Sequence, residues 1–465
     1  MGGSYRNEDG TPDNSVHVGS CEERSRPTDC SVIPPPSGPT VRIAAVGLRV
    51  ARATELLGPN NPTLFRRTHE ARFVFASRLS ERGTWLVVIC WFVAVDAVGL
   101  QLRGPLLASL EAEFGASPAL LGLVAPAGTV GFVATLLVMG SVAGRLDIGR
   151  AMRVGVVAVA VCVALLAFVP SFTLYLGVLV LRGVATGVFR ALDRPVLSHL
   201  YADARGRVFN LYDFAWAVGA TLGPVLVVAA LAAGSWRLAY GVLAVGFVPV
   251  AVALWRLDFP ELSGVERPLR LADVRRVLGR TEVTGASVAL FVSGGVEGGL
   301  FTWLPYYART VLPSSTASLT LSVLVLGYIP GRLVYSRVAE RVGYLPLVLA
   351  LTAGGTVVLV GVLTLAGTPL LVAVFVLGVL LSGVSPTLTA YAMSAVPSYG
   401  GPANAVTTGS VYFGLAVFPP VMGVMLERRG IEAAISLLPV LATLTGVCLV
   451  VTFVAVRRRG RVAPI

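Results

Sequence analysis

From Trp85 onward the chain is cut into apolar runs whose length leaves few alternatives. The runs are 85–110, 120–143, 152–169, 172–192, 212–232 and 238–257, then 285–307, 319–338, 345–366, 369–391, 405–426 and 431–456. Each is about 20 residues, the length an α-helix needs to cross a hydrocarbon core of about 30 Å. In lipid, backbone polar groups must be satisfied internally, so only helices or closed barrels span it. The runs are unbroken rather than alternating, which argues for helices. Composition agrees: 55% of the residues are hydrophobic and 13% are charged, against roughly 25% charged in a soluble domain. The expected class is an all-α membrane protein with twelve transmembrane helices.

The twelve runs are six runs repeated. Gly99, Leu100 and Pro105 recur as Gly299, Leu300 and Pro305. Arg182 to Gly187 lines up with Gly378 to Gly383, and Gly206, Gly219 and Pro224 with Gly401, Gly414 and Pro419. An offset of about 200 residues is far too long for a solenoid. It describes a duplicated domain, hence two pseudo-symmetric six-helix bundles, and many secondary transporters are built that way around a central site.

The net charge of +12 comes from a chain without lysine. A basic balance can signal nucleic acid. Here the arginines sit between apolar runs: Arg145, Arg150 and Arg153, then Arg194, Arg205 and Arg207, then Arg267 to Arg280, then Arg337 and Arg341. The intervening loops are short and nearly free of Arg, so the charge reads as positive-inside topology with both termini cytoplasmic in a cell membrane. No nucleic-acid partner is expected. The expected organisation is 1–83 as a polar, disordered cytoplasmic tail, 84–257 as the first bundle, 258–284 as a cytoplasmic linker, 285–457 as the second bundle and 458–465 as a cytoplasmic tail. Five scattered cysteines make no CxxC and no zinc spacing. Nor is there an HExxH, GxSxG or GxxxxGK motif, so neither an enzyme nor a cofactor is expected.

Two loops carry a related signature. One is GSVAGRLDIGR at 140–150, with Gly140, Arg145 and Asp147; the other is SRVAERVGY at 336–344, with Glu340, Arg341 and Gly343. Both resemble the cytoplasmic loop motif G-x-L-A-D-R-x-G of the major facilitator superfamily. The second copy falls in register; the first has Gly144 where the acid is expected and Asp147 where the glycine is expected. The fifth run contains GATLGP, with Gly219, Gly223 and Pro224, followed by SWRLAY at 235–240. This resembles the G-x-x-x-G-P signature of the proton-coupled drug exporters of that superfamily. The spacing lets two backbones approach closely, and the proline removes one hydrogen bond so that the helix can bend. The resemblance implies the twelve-helix fold, a cytoplasmic gate built from the loop motifs, and alternating access.

Three ionisable residues fall deep in the runs. Asp96 lies about 16 Å into the first and Glu297 about 18 Å into the seventh, while Arg182 is about 15 Å into the fourth from the other side. Such charges cost roughly 2.5–3.5 kcal/mol each on insertion scales, and are functional candidates by default. Asp96 is the expected protonation site and Arg182, at a position the exporters use in coupling, its electrostatic regulator. Glu297 is a second proton site or an anchor for a cation. A static Asp96–Arg182 pair is the structural alternative. Arg103, Trp303, Tyr306, Tyr212 and Trp216 are the expected substrate-contacting residues, since aromatic faces beside an acid suit a lipophilic cation. The expected activity is proton-coupled export of a small lipophilic or cationic compound by a monomer in the bilayer. The alternatives are proton-coupled uptake of a metabolite or organic anion, bound through Arg103 or Arg182, and a membrane sensor that does not transport.

Overall fold

The computed structural model describes residues 62–141, 147–259 and 271–458, with side chains omitted for 62–80, 140–141, 271, 336 and 340. Residues 1–61 of the expected tail, and 459–465, lie outside the described residues. The chain divides into two units, 1–74 and 75–465, and the second contains every membrane span.

Among the described residues all regular structure is helical. Twelve helices are long and apolar enough to cross a bilayer. They are α1 (Glu81–Gln101), α2 (Pro118–Met139), α3 (Ile148–Leu166), α4 (Phe172–Leu200), α5 (Arg205–Ala232), α6 (Arg237–Arg256), α7 (Thr281–Ala308), α8 (Ser314–Ala339), α9 (Tyr344–Val362), α10 (Gly367–Ser394), α11 (Pro397–Arg429) and α12 (Ile431–Arg458). The helix that contains α1 begins earlier, at Pro62. A further helix, Arg103–Phe114, continues α1 beyond a one-residue break at Leu102. The side from which α1 enters and to which α12 returns is the terminal side, and the other the distal side.

Ordinary local rules end these helices. Ser171 caps α4 by accepting from the Leu174 N–H at 3.3 Å, and Asp147 caps α3 by accepting from the Arg150 N–H at 3.0 Å. Gly343 takes φ 88°, which lets the chain turn from α8 directly into α9. A side chain is rarely found in that left-handed conformation. The surface is the reverse of a soluble protein's: Phe168 is 80% exposed, Val357 72% and Leu137 62%. Large apolar side chains in contact with the surroundings are stable in lipid rather than in water.

The duplication is visible in how helices touch. A Cβ added at Gly219 of α5 would meet the Ala94 backbone of α1, and one at Gly414 of α11 would meet the Phe291 backbone of α7. Likewise Gly183 of α4 lies against Gly128 of α2, and Gly378 of α10 against Leu324 of α8. Helix pairs 1/5 and 2/4 of the first half thus return as 7/11 and 8/10 of the second. Glycine at these crossings permits backbone-to-backbone contact, which is how helices associate when hydrophobic burial gives no drive between them.

The halves meet from the distal edge to mid-membrane. At the edge, the Tyr306 hydroxyl donates to Glu111 at 2.9 Å, and the Ala119 N–H donates to Glu427 at 3.2 Å. Gly104 lies against the Phe301 carbonyl and Gly122 against Pro419 and Pro420. Further in, Ser322 of α8 donates to the Thr221 carbonyl of α5 at 2.7 Å, and the Phe132 and Tyr412 rings are 5.0 Å apart. The distal ends are therefore closed against each other.

Candidate functional site

The centre of the first half is an ion pair between α1 and α4. Arg182 donates through Nη2 to Asp96 Oδ1 at 2.7 Å, and also to the Asp96 main-chain oxygen at 3.2 Å. Thr186, one turn further along α4, donates to the same Oδ1 at 3.4 Å. The Arg182 side chain is 3% exposed and that of Asp96 14%. Helical periodicity puts residues 182, 186 and 190 on one face, so α4 presents Arg182, Thr186 and Arg190 in sequence. Gly99 on α1 leaves the space that the Arg182 guanidinium fills, since a Cβ there would stand 2.7 Å from Nη2. Gly219 and Gly223 hold α5 against α1 on another side, the latter beside Val98 and Gln101. The motif glycines thus set the packing of the helix that carries Asp96, with Pro224 inside α5.

A second charged group continues along α4 toward the terminal side. Asp193 is fully buried. It accepts from the Tyr212 hydroxyl at 2.6 Å and from the Arg194 N–H at 2.5 Å, with the Arg190 Nε at 3.8 Å. Arg190 and Arg194 lie over the Tyr212 ring at 5.1 and 4.9 Å, and Arg194 also pairs with Asp213 at 3.3 Å. Tyr412 of α11 is in electrostatic range of Arg190, Arg194, Asp96 and Asp193.

The third group lies where α5 meets the second half. Glu297 of α7 faces the Tyr328 hydroxyl and Arg332, both on α8, though Tyr328 forms no hydrogen bond of standard geometry. Arg332 lies over the Trp216 ring of α5 at 5.5 Å and over the Tyr328 ring at 5.7 Å. The electrostatic partners of Glu297 are thus on α8, whereas Asp96 is paired with Arg182 of α4.

The remaining expected residues are distributed. Arg103 is buried, 7% exposed, and does not reach outward to the interface. Its Nε has no partner, and it forms no ion pair within the described residues. Trp303 is fully buried and donates to the Pro419 carbonyl at 3.0 Å, where it packs α7 on α11. Tyr306 is engaged at the distal edge with Glu111, and both line a cavity of about 430 Å³ with Ala108, Ala112, Arg309 and Thr310. Tyr212 is committed to Asp193 and Trp216 to Arg332. Of the loop-motif residues, Asp147 is an N-cap that also pairs with Arg150 at 3.2 Å. Arg341 is exposed in the last turn of its helix, and Gly343 makes the turn. The helix containing α2 includes Gly140; Arg145 and the Glu340 side chain lie outside the described residues. No group of three metal-ligating side chains occurs among the described residues.

Thr186, Arg190, Asp193, Tyr328 and Arg332 join these groups without having stood out in the sequence. A signal was present for α4, where 182, 186, 190, 193 and 194 share one helical face. Arg332 was signalled only as a charge within the eighth run, one turn from Tyr328; its other partners, Trp216 and Glu297, come from α5 and α7.

The sequence profile of the Major Facilitator Superfamily matches residues 89–316 and, in a second overlapping match, 286–464. No curated protein matches by sequence. Among solved structures, the chain is similar to the nucleoside transporter NupG, with TM-score 0.67 at 13% identity, covering 80% of this chain and 98% of that one. It is similar to a bacterial homologue of the human lysosomal transporter Spinster, inward-facing and occupied, with TM-score 0.65 at 13% identity over 80% and 97% of the two chains. The Escherichia coli fucose:proton symporter FucP gives TM-score 0.56 at 17% identity over 79% and 98%. At such identities the likeness is one of fold. The chain belongs to the major facilitator superfamily, and is a multi-pass membrane transporter of small molecules.

Proposed function

We propose that this major facilitator superfamily member is a proton-coupled secondary transporter, in which Asp96 carries the proton and Arg182 is its counter-charge. The observation that carries the reading is the 2.7 Å ion pair inside the spans. A carboxylate held by a guanidinium is stable ionised; protonation releases the guanidinium and with it the contact between α1 and α4. Both helices pack through glycine crossings onto neighbours that touch the second half, so a change in the pair has a route to rocking of one bundle against the other. Glu297 and Arg332 are a second acid and arginine in electrostatic range of each other, with Arg332 over Trp216 where α8 meets α5. The terminal side is read as cytoplasmic from the arginine distribution, and the membrane as the cell membrane.

Export of a small lipophilic or cationic compound by a monomer is supported by the Gly219, Gly223, Pro224 motif and by Trp216 at the junction of the halves. In this reading the 140–150 and 336–344 loops form the cytoplasmic gate. A second reading, uptake of an organic anion with protons, is favoured by one specific observation: the buried Arg103 forms no ion pair among the described residues, and its Nε has no hydrogen-bond partner.

The test is proton movement in proteoliposomes that enclose a pH-sensitive dye, with an imposed gradient and matched cationic, neutral and anionic compounds. Substrate-triggered flux in the wild type, lost in Asp96→Asn and in Arg182→Ala, is the expected result. Full flux in either variant would sink the coupling scheme. A response to organic anions alone would select the second reading.

A further inference from the structure

We infer that Arg103 anchors a subsite for the carboxylate of an organic acid, and that the subsite fills together with protonation of Asp96. The subsite stands on the surroundings of Arg103 and deepens the second reading above, transport of an organic anion, in place of a cationic substrate; its link to protonation rests on the reading of Asp96 as the proton carrier.

Arg103 is 7% exposed, its Nε is buried without a partner, and it forms no ion pair among the described residues. A guanidinium stays protonated in proteins, and a buried charge without compensation is strongly destabilising. Its electrostatic neighbours do not compensate it. They are Arg182, Asp96, Tyr175 and Tyr240. Arg182 has the same sign. The Tyr175 and Tyr240 hydroxyls are bonded to each other at 2.7 Å. Asp96 is already held by Arg182. Two guanidiniums thus share one carboxylate.

The position of the side chain is built by its surroundings. A Cβ at Gly128 of α2 would stand 2.5 Å from Nη2, 2.6 Å from Nη1 and 2.8 Å from Cζ of Arg103. The guanidinium therefore lies in the space left by a missing side chain. A planar fork fixed in this way matches a carboxylate in two-point geometry.

The coupling follows from charge. The charged and titratable groups around Asp96 are Arg182 and Arg190 from α4 and Tyr412 from α11, with Arg103 on its own helix line. On α5, Gly219 and Gly223 pack against Ala94, Val98 and Gln101 of the helix that carries Asp96. When Asp96 takes a proton, Arg182 also loses its counter-ion, and two cations face the incoming anion. A bound carboxylate in turn favours the neutral form of Asp96. Each ligand strengthens the other by the same factor, as linkage requires. A cationic substrate would instead compete with the proton.

The experiment uses the full chain in nanodiscs and benzoate as probe, with benzyl alcohol and benzyltrimethylammonium as neutral and cationic controls. Binding is read by calorimetry and by the shift in melting temperature. Benzoate is expected to bind and the controls not to. Arg103→Gln should weaken benzoate at least about tenfold, equivalent to about 1.4 kcal/mol. Without ligand this variant should melt at or above the wild type, because it removes an uncompensated charge. Gly128→Ala, which displaces the guanidinium, should weaken benzoate while Arg103 is retained. Failure of benzoate to bind the wild type, or equal binding to Arg103→Gln, overturns the subsite. So does an Arg103→Gln variant that melts well below the wild type while Gly128→Ala binds normally, since Arg103 is then structural. Benzoate affinity should rise as pH falls in the wild type and be high and pH-independent in Asp96→Asn. A pH dependence retained in that variant overturns the link to Asp96 and leaves the subsite standing.

Discussion

Arg182 donates to the carboxylate and to the main-chain oxygen of Asp96, and the pair is nearly sealed from its surroundings. Its net contribution to stability is small, because desolvating two charges offsets most of their attraction. Breaking it is different: one lone charge remains buried, at a cost of roughly 3–5 kcal/mol. Arg182→Ala is therefore expected to melt well below the wild type, whereas Asp96→Asn combined with Arg182→Gln recovers much of the loss. Melting curves of the two singles and the double in detergent check this, and additive losses would show that the two side chains do not interact. The 3.4 Å bond from Thr186 is long, so Thr186→Val is expected to change stability by less than about 1 kcal/mol in the same assay.

At the scale of the element, α5 has no sequence-visible reason to sit on α1 other than its glycines. Gly219 faces the Ala94 backbone so closely that no side chain fits, and Gly414 repeats the arrangement against Phe291. Gly219→Val and Gly414→Val are each expected to destabilise by about 1–3 kcal/mol, the usual range for overpacking. The first should also reduce proton coupling more than the second, because only the first moves the helix that carries Asp96. Equal effects on coupling would argue against a special role for the first-half motif. The SWRLAY segment has an equally structural basis. Arg237 donates to the Val169 carbonyl at 3.0 Å and also pairs with Glu113, to which Trp236 donates as well. It fastens the distal ends of α1, α3 and α6.

Over the whole molecule, the state observed is one in which the halves are closed on the distal side. Alternating access requires that closure to open, which means losing the Tyr306–Glu111 and Ala119–Glu427 bonds. Tyr306→Phe removes one hydrogen bond worth about 0.5–1.5 kcal/mol, so the distal-open population should rise by roughly twofold to tenfold. An Ala108→Cys probe, placed in the cavity beside Tyr306 in a cysteine-free background, reports it by labelling with a membrane-impermeant thiol reagent from the distal side. Faster labelling in Tyr306→Phe is expected. An unchanged rate would mean that closure rests on the other contacts between the halves, such as Ala119–Glu427 and the glycine contacts at Gly104 and Gly122.

The twelve spans were legible in the sequence because the signal is local. A run of about 20 apolar residues satisfies its own backbone and matches the bilayer without reference to the rest of the chain. The duplication was legible too, since Gly219 and Gly414 recur in register. Asp96 and Arg182 were legible as buried charges because lipid makes any ion in a span conspicuous. Which charges meet was decided only by tertiary structure. Asp96 found Arg182 across 86 positions, Glu297 found Tyr328 and Arg332, and Trp303 and Tyr212 were taken up by Pro419 and Asp193. Partnership depends on the rotation and crossing point of each helix, and these follow from packing against several neighbours at once. For the same reason the absence of an ion pair at Arg103 among the described residues could not be read from the chain. An unpaired charge is defined by everything around it, and its surroundings exist only in the folded bundle.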